Sequence, residues 1–156
     1  MNAIEVVKIL SEKHLTLSTA ESCTGGMIGA SLTSVSGASE VYGYGFITYA
    51  NEAKEKILGV QKKTLEAYGA VSEQTAREMA LGAYKVSGSD IAVSVTGIAG
   101  PNGGTKEKPV GLVYTAVASK NGVEVKKLLL NGTRDEVRRK TCESVFADII
   151  YCAKNI

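Results

Sequence analysis

An α/β domain of three layers, with helices on both faces of a mixed and mostly parallel sheet, is the architecture that this 156-residue chain predicts. Three observations carry the prediction. Segments of helical periodicity alternate with segments of strand character, as they do when helices are laid on a parallel sheet. An Asn-Gly pair between two strand-like runs interrupts the alternation with a hairpin, which makes the sheet mixed. Length and composition, with 44% hydrophobic and 22% charged residues and only 2 prolines, suit one domain over residues 1–156 with a sizeable core.

In residues 2–14, Ile4, Val7 and Leu10 fall at helical spacing with Val6 and Ile9 alongside, and Leu15 to Ala20 then alternates like a strand. Glu21-Ser22-Cys23-Thr24-Gly25-Gly26 follows, leading into small and apolar residues (Met27, Ile28, Ala30, Leu32) that suit a helix starting near Thr24 and packed closely on a sheet. Val41 to Tyr49 is rich in aromatic and β-branched residues and reads as the second strand. Asn51 is placed to cap a helix through Ile57 and Leu58 that Gly59 ends. Ser72, with Glu73 and Thr75, opens a helix carrying Ala76, Met79, Ala80 and Ala83, and Gly88 follows it. Ile91 to Val95 is a short strand of the buried type that runs into a loop from Thr96 to Thr105 with four glycines. Leu112 to Ala118 and Val123 to Leu130 flank Asn121-Gly122 as an antiparallel pair. The last helix starts at about Thr133, with Val137, Thr141, Val145, Ile149 and Cys152 on one stripe and Arg134, Arg138 and Lys140 off it.

Composition removes several function classes. The net charge is +2, and basic residues are scattered apart from Lys126, Lys127, Arg134, Arg138, Arg139 and Lys140, which is slender support for a nucleic-acid partner. Three cysteines, Cys23, Cys142 and Cys152, fit reduced thiols rather than a disulfide framework or a zinc site. His14 is the only histidine, whereas a Ser-His-Asp triad, a Cys-His dyad or a two-histidine metal site needs it or more; at the end of the first helical pattern it reads as structural. The longest uncharged run, Ser22 to Ser39, holds 18 residues, but 11 are Ser, Thr or Gly, so it is no membrane span. Glu5 and Lys8 interrupt any apolar core of a leader, and a cytoplasmic location is expected.

Ligands of open α/β sheets sit beyond the carboxyl ends of strands, which here lead into the Ser22 turn and the Thr96 loop. Their glycines either free backbone amides for an anion or permit tight helix-on-sheet packing. Neither segment is a Walker motif or a G-x-G-x-x-G fingerprint. Ser22, between a strand and a helix start, is either a helix cap or a nucleophile with backbone donors beside it. With histidine unavailable, a nucleophilic serine needs another base, and a desolvated lysine is the usual substitute. Lys54 lies one helical turn past Asn51, so Tyr49 and Lys54 either reach the Ser22 pocket or serve as strand filler and exposed helix lysine.

Several separated blocks resemble the CinA C-terminal domain family: Thr19 to Gly26, Gly45 to Val60, Tyr68 to Ser72, Thr96 to Pro101, Gly103 to Thr105, Lys108 to Gly111, and Gly132 to Arg134 with Arg138. They appear in that family's order and spacing from about Ile4 to Ala153. Chains of this length resemble its nicotinamide mononucleotide deamidase type, whose longer relatives carry an additional N-terminal domain with an activity not transferable here. The resemblance implies hydrolysis of the carboxamide of nicotinamide mononucleotide to nicotinic acid mononucleotide and ammonia, without metal or other cofactor. It further implies a mixed five-stranded sheet and a homodimer. Residue by residue, the family's serine falls on Ser22, its lysine on Lys54, its tyrosine on Tyr49, its loop threonine on Thr96 and its late arginine on Arg138. Ala50 stands where serine is common and Thr133 where aspartate is common, which leaves the surroundings of Arg134 open.

Residue chemistry and resemblance together give one expected scheme. Neutral Lys54 takes the Ser22 proton, Ser22 attacks the amide carbon, and amides near Cys23 and Thr24 hold the oxyanion. Tyr49 either relays the proton or orients Lys54. Substrate binding is expected from Cys23, Thr24 and Gly25 in the turn, from Thr96, Gly97 and Gly100 in the loop, and from Arg138, the last two elements meeting the ribose phosphate. The Cys23 side chain itself reads as small buried filler. Rival readings are a non-catalytic module that binds a nucleotide or a protein partner, and an amidohydrolase of another amide.

Overall fold

A computed structural model describes residues 2–156. Its elements are α1 (Ala3–Glu12), β1 (Leu17–Glu21), α2 (Met27–Thr33), β2 (Tyr42–Ile47), α3 (Asn51–Leu58), α4 (Lys62–Tyr68), α5 (Glu73–Ser87), β3 (Ile91–Gly97), β4 (Leu112–Ser119), β5 (Gly122–Leu129) and α6 (Arg134–Asn155), with a short 3₁₀ turn at Ala38–Glu40. The five strands form one mixed sheet in the order β2-β1-β3-β4-β5. β1 pairs in parallel with β2 and β3, while β3–β4 and β4–β5 are antiparallel, so β4 alone runs against the other four. Helices cover both faces, as the alternation predicts.

The two faces are packed differently. On one, Val6 and Leu10 of α1, Ile28 and Leu32 of α2, and Val137, Phe146 and Ile149 of α6 close over Leu17, Ile91, Val93 and Val113. On the other, α5 lays Ala76, Met79, Ala80 and Ala83 on Ala20, Ala92, Ala116 and Ala118, with Leu58 and Leu65 at the side. Small residues on both partners let α5 lie close to the sheet. That closeness carries over to α3, because a Cβ at Gly82 would stand 2.0 Å from the Leu58 carbonyl oxygen. Only glycine lets α5 approach the end of α3 so tightly, and Lys54 lies one turn before Leu58.

Local signals placed α5 and α6 well. The Ser72 hydroxyl accepts from the Thr75 amide at 3.1 Å, and Gly88 ends α5 at φ +68°. Thr133 and Glu136 form a reciprocal capping box at the start of α6. On α6 Cys152 is only half-buried, and Ala153 completes the stripe in its place.

Four local expectations change. The helix after Ser22 begins at Met27 rather than near Thr24, behind Gly26 at φ +101°. Ala50, not Asn51, occupies the cap position of α3, and it contributes only its backbone, since its carbonyl accepts from the Lys54 amide at 3.2 Å. α4 has no expected counterpart because it buries only Thr64 and Leu65, too little for a periodic signal. In the hairpin Ser119 pairs with Gly122, so Lys120 and Asn121 form the connection, and of the Asn-Gly pair only Gly122 takes positive φ, at +111°.

In the order β2-β1-β3-β4-β5, β1 passes on to β2 at one side while its neighbour β3 passes on to β4 at the other, so the carboxyl ends of β1 and β3 mark the switch point where sheets of this kind bind ligands. Ser22 follows β1, Thr48 follows β2 and Gly97 closes β3. No helix among the described residues is long and apolar enough to cross a membrane.

Candidate active site

The Ser22 amide donates to the Val95 carbonyl at 3.0 Å, and the Ser22 carbonyl accepts from the Gly25 amide at 3.0 Å, folding residues 22–25 into a tight turn. Gly25 sits at φ +56°, a conformation costly for residues with a Cβ. The Ser22 side chain caps no helix. That task falls to Glu21, a buried carboxylate at the end of β1 that accepts from the Ile28 amide at 2.9 Å and the Gly29 amide at 3.0 Å. A negative charge there also suits the positive end of α2. Within the turn, the amides of Cys23, Thr24 and Gly26 have no acceptor in another described residue.

Lys54 is 1% exposed and heads the fully buried side chains by size. Its Nζ lies 2.7 Å from the Thr48 carbonyl, 3.0 Å from the Tyr49 carbonyl and 3.0 Å from Ser22 Oγ. Burial pushes its pKa down to about 8 from the usual 10.5, with Cys23 opposing the change. The contacts are chemically unequal. Carbonyls only accept, so a neutral amine gives them its two N–H groups and turns its lone pair to the Ser22 hydroxyl. Thr24 Oγ1, two residues past Ser22, and Thr48 Oγ1, on the residue whose carbonyl meets Lys54, are buried hydroxyls with no hydrogen-bond partner among the described residues.

Tyr49 meets Lys54 through its backbone carbonyl; the residue is 60% exposed, and its hydroxyl lies 3.1 Å from Arg134 Nη2. Arg134 Nη1 also donates to the Gly100 carbonyl at 2.7 Å, tying together the ends of β2, the β3 loop and the start of α6. Arg138 turns inward instead. Its Nε donates to the Cys23 carbonyl and its Nη2 to the Thr24 carbonyl, each at 3.0 Å. Cys23 is buried, and burial raises its thiol pKa to about 11.

The Thr96 loop is used differently. Thr96 Oγ1 donates to the Ala70 carbonyl at 2.8 Å, anchoring the segment before α5. A Cβ at Gly97 would stand 2.7 Å from Val113 Cγ2, and one at Gly100 would stand 2.4 Å from Val110 Cγ1. Ser22, Lys54 and the Tyr49 carbonyl are thus brought together, Arg138 joins them through the turn, and Thr96 and Gly97 are engaged elsewhere, by the Ala70 carbonyl and by Val113. Sequence reasoning missed Glu21, whose signal was an acidic residue ending an otherwise buried strand, and it gave Arg134 no role. A groove of about 270 Å³ between β5 and the end of α6, lined by Thr115, Glu124, Tyr151 and Cys152 among others, contains none of the predicted site residues.

The description "CinA C-terminal domain" matches residues 2–152. A CinA-like protein of Kosmotoga olearia is 54% identical over 135 residues, which are 86% of this chain and 33% of that protein. The chain spans about a third of the length of the curated relatives it matches. Among solved structures, the competence/damage inducible protein CihA from Agrobacterium tumefaciens superposes with a TM-score of 0.93 at 45% identity, covering 96% of this chain and 92% of the other. A competence-damaged protein (CinA) superfamily protein from Klebsiella pneumoniae 700603 gives 0.95 at 31% identity, covering 99% and 96%. Matched along nearly its whole length in sequence and in fold, the chain belongs to the CinA C-terminal domain family.

Proposed function

We propose that this chain is a serine amidohydrolase that releases ammonia from nicotinamide mononucleotide. One observation carries the reaction class: a buried lysine nitrogen within hydrogen-bond distance of two carbonyls, which only accept, and of a serine hydroxyl at 3.0 Å. Ser22 Oγ gives its proton to Lys54 Nζ and bonds to the carboxamide carbon. The resulting oxyanion lies against the open amides of the turn, among which Cys23 and Thr24 directly follow the nucleophile. As the carbon–nitrogen bond breaks, the Lys54 ammonium returns the proton to the departing amine, giving ammonia and an acyl-serine. Water then loses a proton to Lys54 and attacks the ester. Ser22 regains its proton, and the pyridine acid leaves as carboxylate. Tyr49 orients the base through its carbonyl.

The nicotinamide nucleotide as substrate is supported by the sequence resemblance. The test is direct: incubate the chain with nicotinamide mononucleotide and measure ammonia and nicotinic acid mononucleotide. The expected result is stoichiometric release of both, abolished in Ser22→Ala while thermal melting stays near the wild-type value. Ammonia from a different nicotinamide compound alone would keep the chemistry and change the substrate. Full activity in a folded Ser22→Ala would remove the serine mechanism.

A further inference from the structure

Two arginines one helical turn apart on α6 meet the site in opposite ways. Arg138 has two nitrogens committed to the Cys23 and Thr24 carbonyls, which fixes those peptide planes and turns the N–H of the following residue in each plane away from the guanidinium. Arg134 is exposed, and its guanidinium is held in place by a carbonyl and a phenol, both neutral. It makes no ion pair among the described residues. The acids beside it are engaged elsewhere: Asp135 pairs with Arg139 at 2.8 Å, and the Glu136 carboxylate accepts from the Thr133 amide at 3.1 Å. Its charge still acts on the nucleophile turn, since it draws the Cys23 thiol pKa down against the larger effect of burial. A single residue, Tyr49, bridges it to the base, with the carbonyl on Lys54 and the hydroxyl on Arg134.

A cation that is oriented yet not neutralised, beside a site for an amide, is suited to an anionic group on the same substrate. We infer that Arg134 binds a phosphate monoester carried by the amide substrate and sets the preference for a nucleotide over its nucleoside, while Arg138 is a positioning residue that shapes the oxyanion-binding turn. The inference rests on the amidohydrolase reading and moves the phosphate from Arg138, where the sequence pattern put it, to the arginine one turn earlier.

The experiment separates the two arginines and also separates this inference from the reaction it rests on. Binding of nicotinamide mononucleotide and of nicotinamide riboside to the intact Ser22→Ala chain is measured by calorimetry, with Arg134→Ala and Arg134→Gln added in turn. Both variants should weaken the nucleotide by roughly ten- to a hundredfold and leave the riboside within about twofold. With Ser22 restored, Arg134→Ala should raise KM for the nucleotide at little changed kcat, whereas Arg138→Ala should lower kcat on both substrates alike. Arg139→Ala is the neutral control. An unchanged nucleotide preference in Arg134→Ala and Arg134→Gln overturns the assignment, as does a preference abolished by Arg138→Ala. If neither compound binds, the nicotinamide reading fails, and inorganic phosphate followed by amide chemical shifts decides for Arg134. Binding that Arg134→Ala removes sustains the inference; binding that it leaves intact, or no binding to the parent chain, ends it.

Discussion

The turn after β1 and the loop after β3 are both glycine-rich, both follow parallel strands, and both leave the same end of the sheet, yet their hydroxyls do opposite things. The turn leaves the amides of Cys23, Thr24 and Gly26 without acceptors and holds a hydroxyl against a buried amine. The loop consumes its own hydroxyl, since Thr96 donates to Ala70, and its Gly97 and Gly100 stand where Val113 and Val110 leave no room for a side chain. Glycine in such a segment marks a close approach to the backbone, and the approaching group is as readily a neighbouring strand as a ligand.

The largest effect should come from the base that faces the turn. Lys54→Arg keeps the charge but offers no lone pair at any working pH, so kcat should fall by about 10²–10⁴. In the unaltered chain, kcat/KM should rise with pH through about 8, the value to which burial lowers the Lys54 amine, and level off above it. Stability carries the same signature. The folded pKa lies below the unfolded one, so folding gains stability as pH climbs from about 8 toward the ordinary lysine range and lacks that gain below it. Melting curves of Lys54→Met against the parent chain over that window should show the slope vanish. A Lys54→Arg variant that retained most of the rate, or a parent rate independent of pH from about 7 to 9, would make the lysine an electrostatic element rather than a base.

Next in size is the brace under the turn. Glu21→Gln puts an amide where the Ile28 and Gly29 amides expect two acceptor oxygens, so one donor faces another inside the protein. The loss should be about 1.5–3 kcal/mol by chemical denaturation. Because the same carboxylate fixes the distance between Ser22 and α2, kcat should drop with it, by about tenfold. A destabilised variant with full kcat would mean that the Arg138 grip suffices to hold the turn.

What the sequence made legible follows from the range of each interaction. Alternating periodicity, the Ser72 cap, the helix start near Thr133 and the hairpin glycine are local, and the sheet with helices on both faces was predictable from them. α2 was misplaced because its cap comes from a strand residue upstream, which no helix-start rule anticipates. The pairing of Ser22 with Lys54 was suggested by the lack of a usable histidine and by the family's blocks, which place the two 32 residues apart. Arg138 could be seen to leave the apolar stripe, but its carbonyl partners are 115 and 114 residues away in sequence, so only the packing of α6 against the turn reveals them. Tyr49 had a hydroxyl that invited a role, whereas the contact with Lys54 uses a backbone oxygen that every residue has.

The smallest effect tests the scaffold side of the comparison. Thr96→Val keeps the shape of the side chain and removes only the hydroxyl, leaving the Ala70 carbonyl without the donor that now reaches it at 2.8 Å. Thr96 itself is 1% exposed, so little water can replace the lost bond without rearrangement of the segment before α5. An orphaned acceptor of this kind should lower stability by about 1–2 kcal/mol, or roughly 2–8 °C in Tm for a domain of this size. Activity should remain within about twofold, because the hydroxyl points to Ala70 and the reacting groups stand in the turn after β1 and on α3. The reverse pattern, unchanged melting with a large rise in KM, would place the Thr96 hydroxyl on the substrate. The loop would then have to rearrange when substrate binds, and the two strand ends would share the work of recognition instead of dividing it into a reacting turn and a supporting loop.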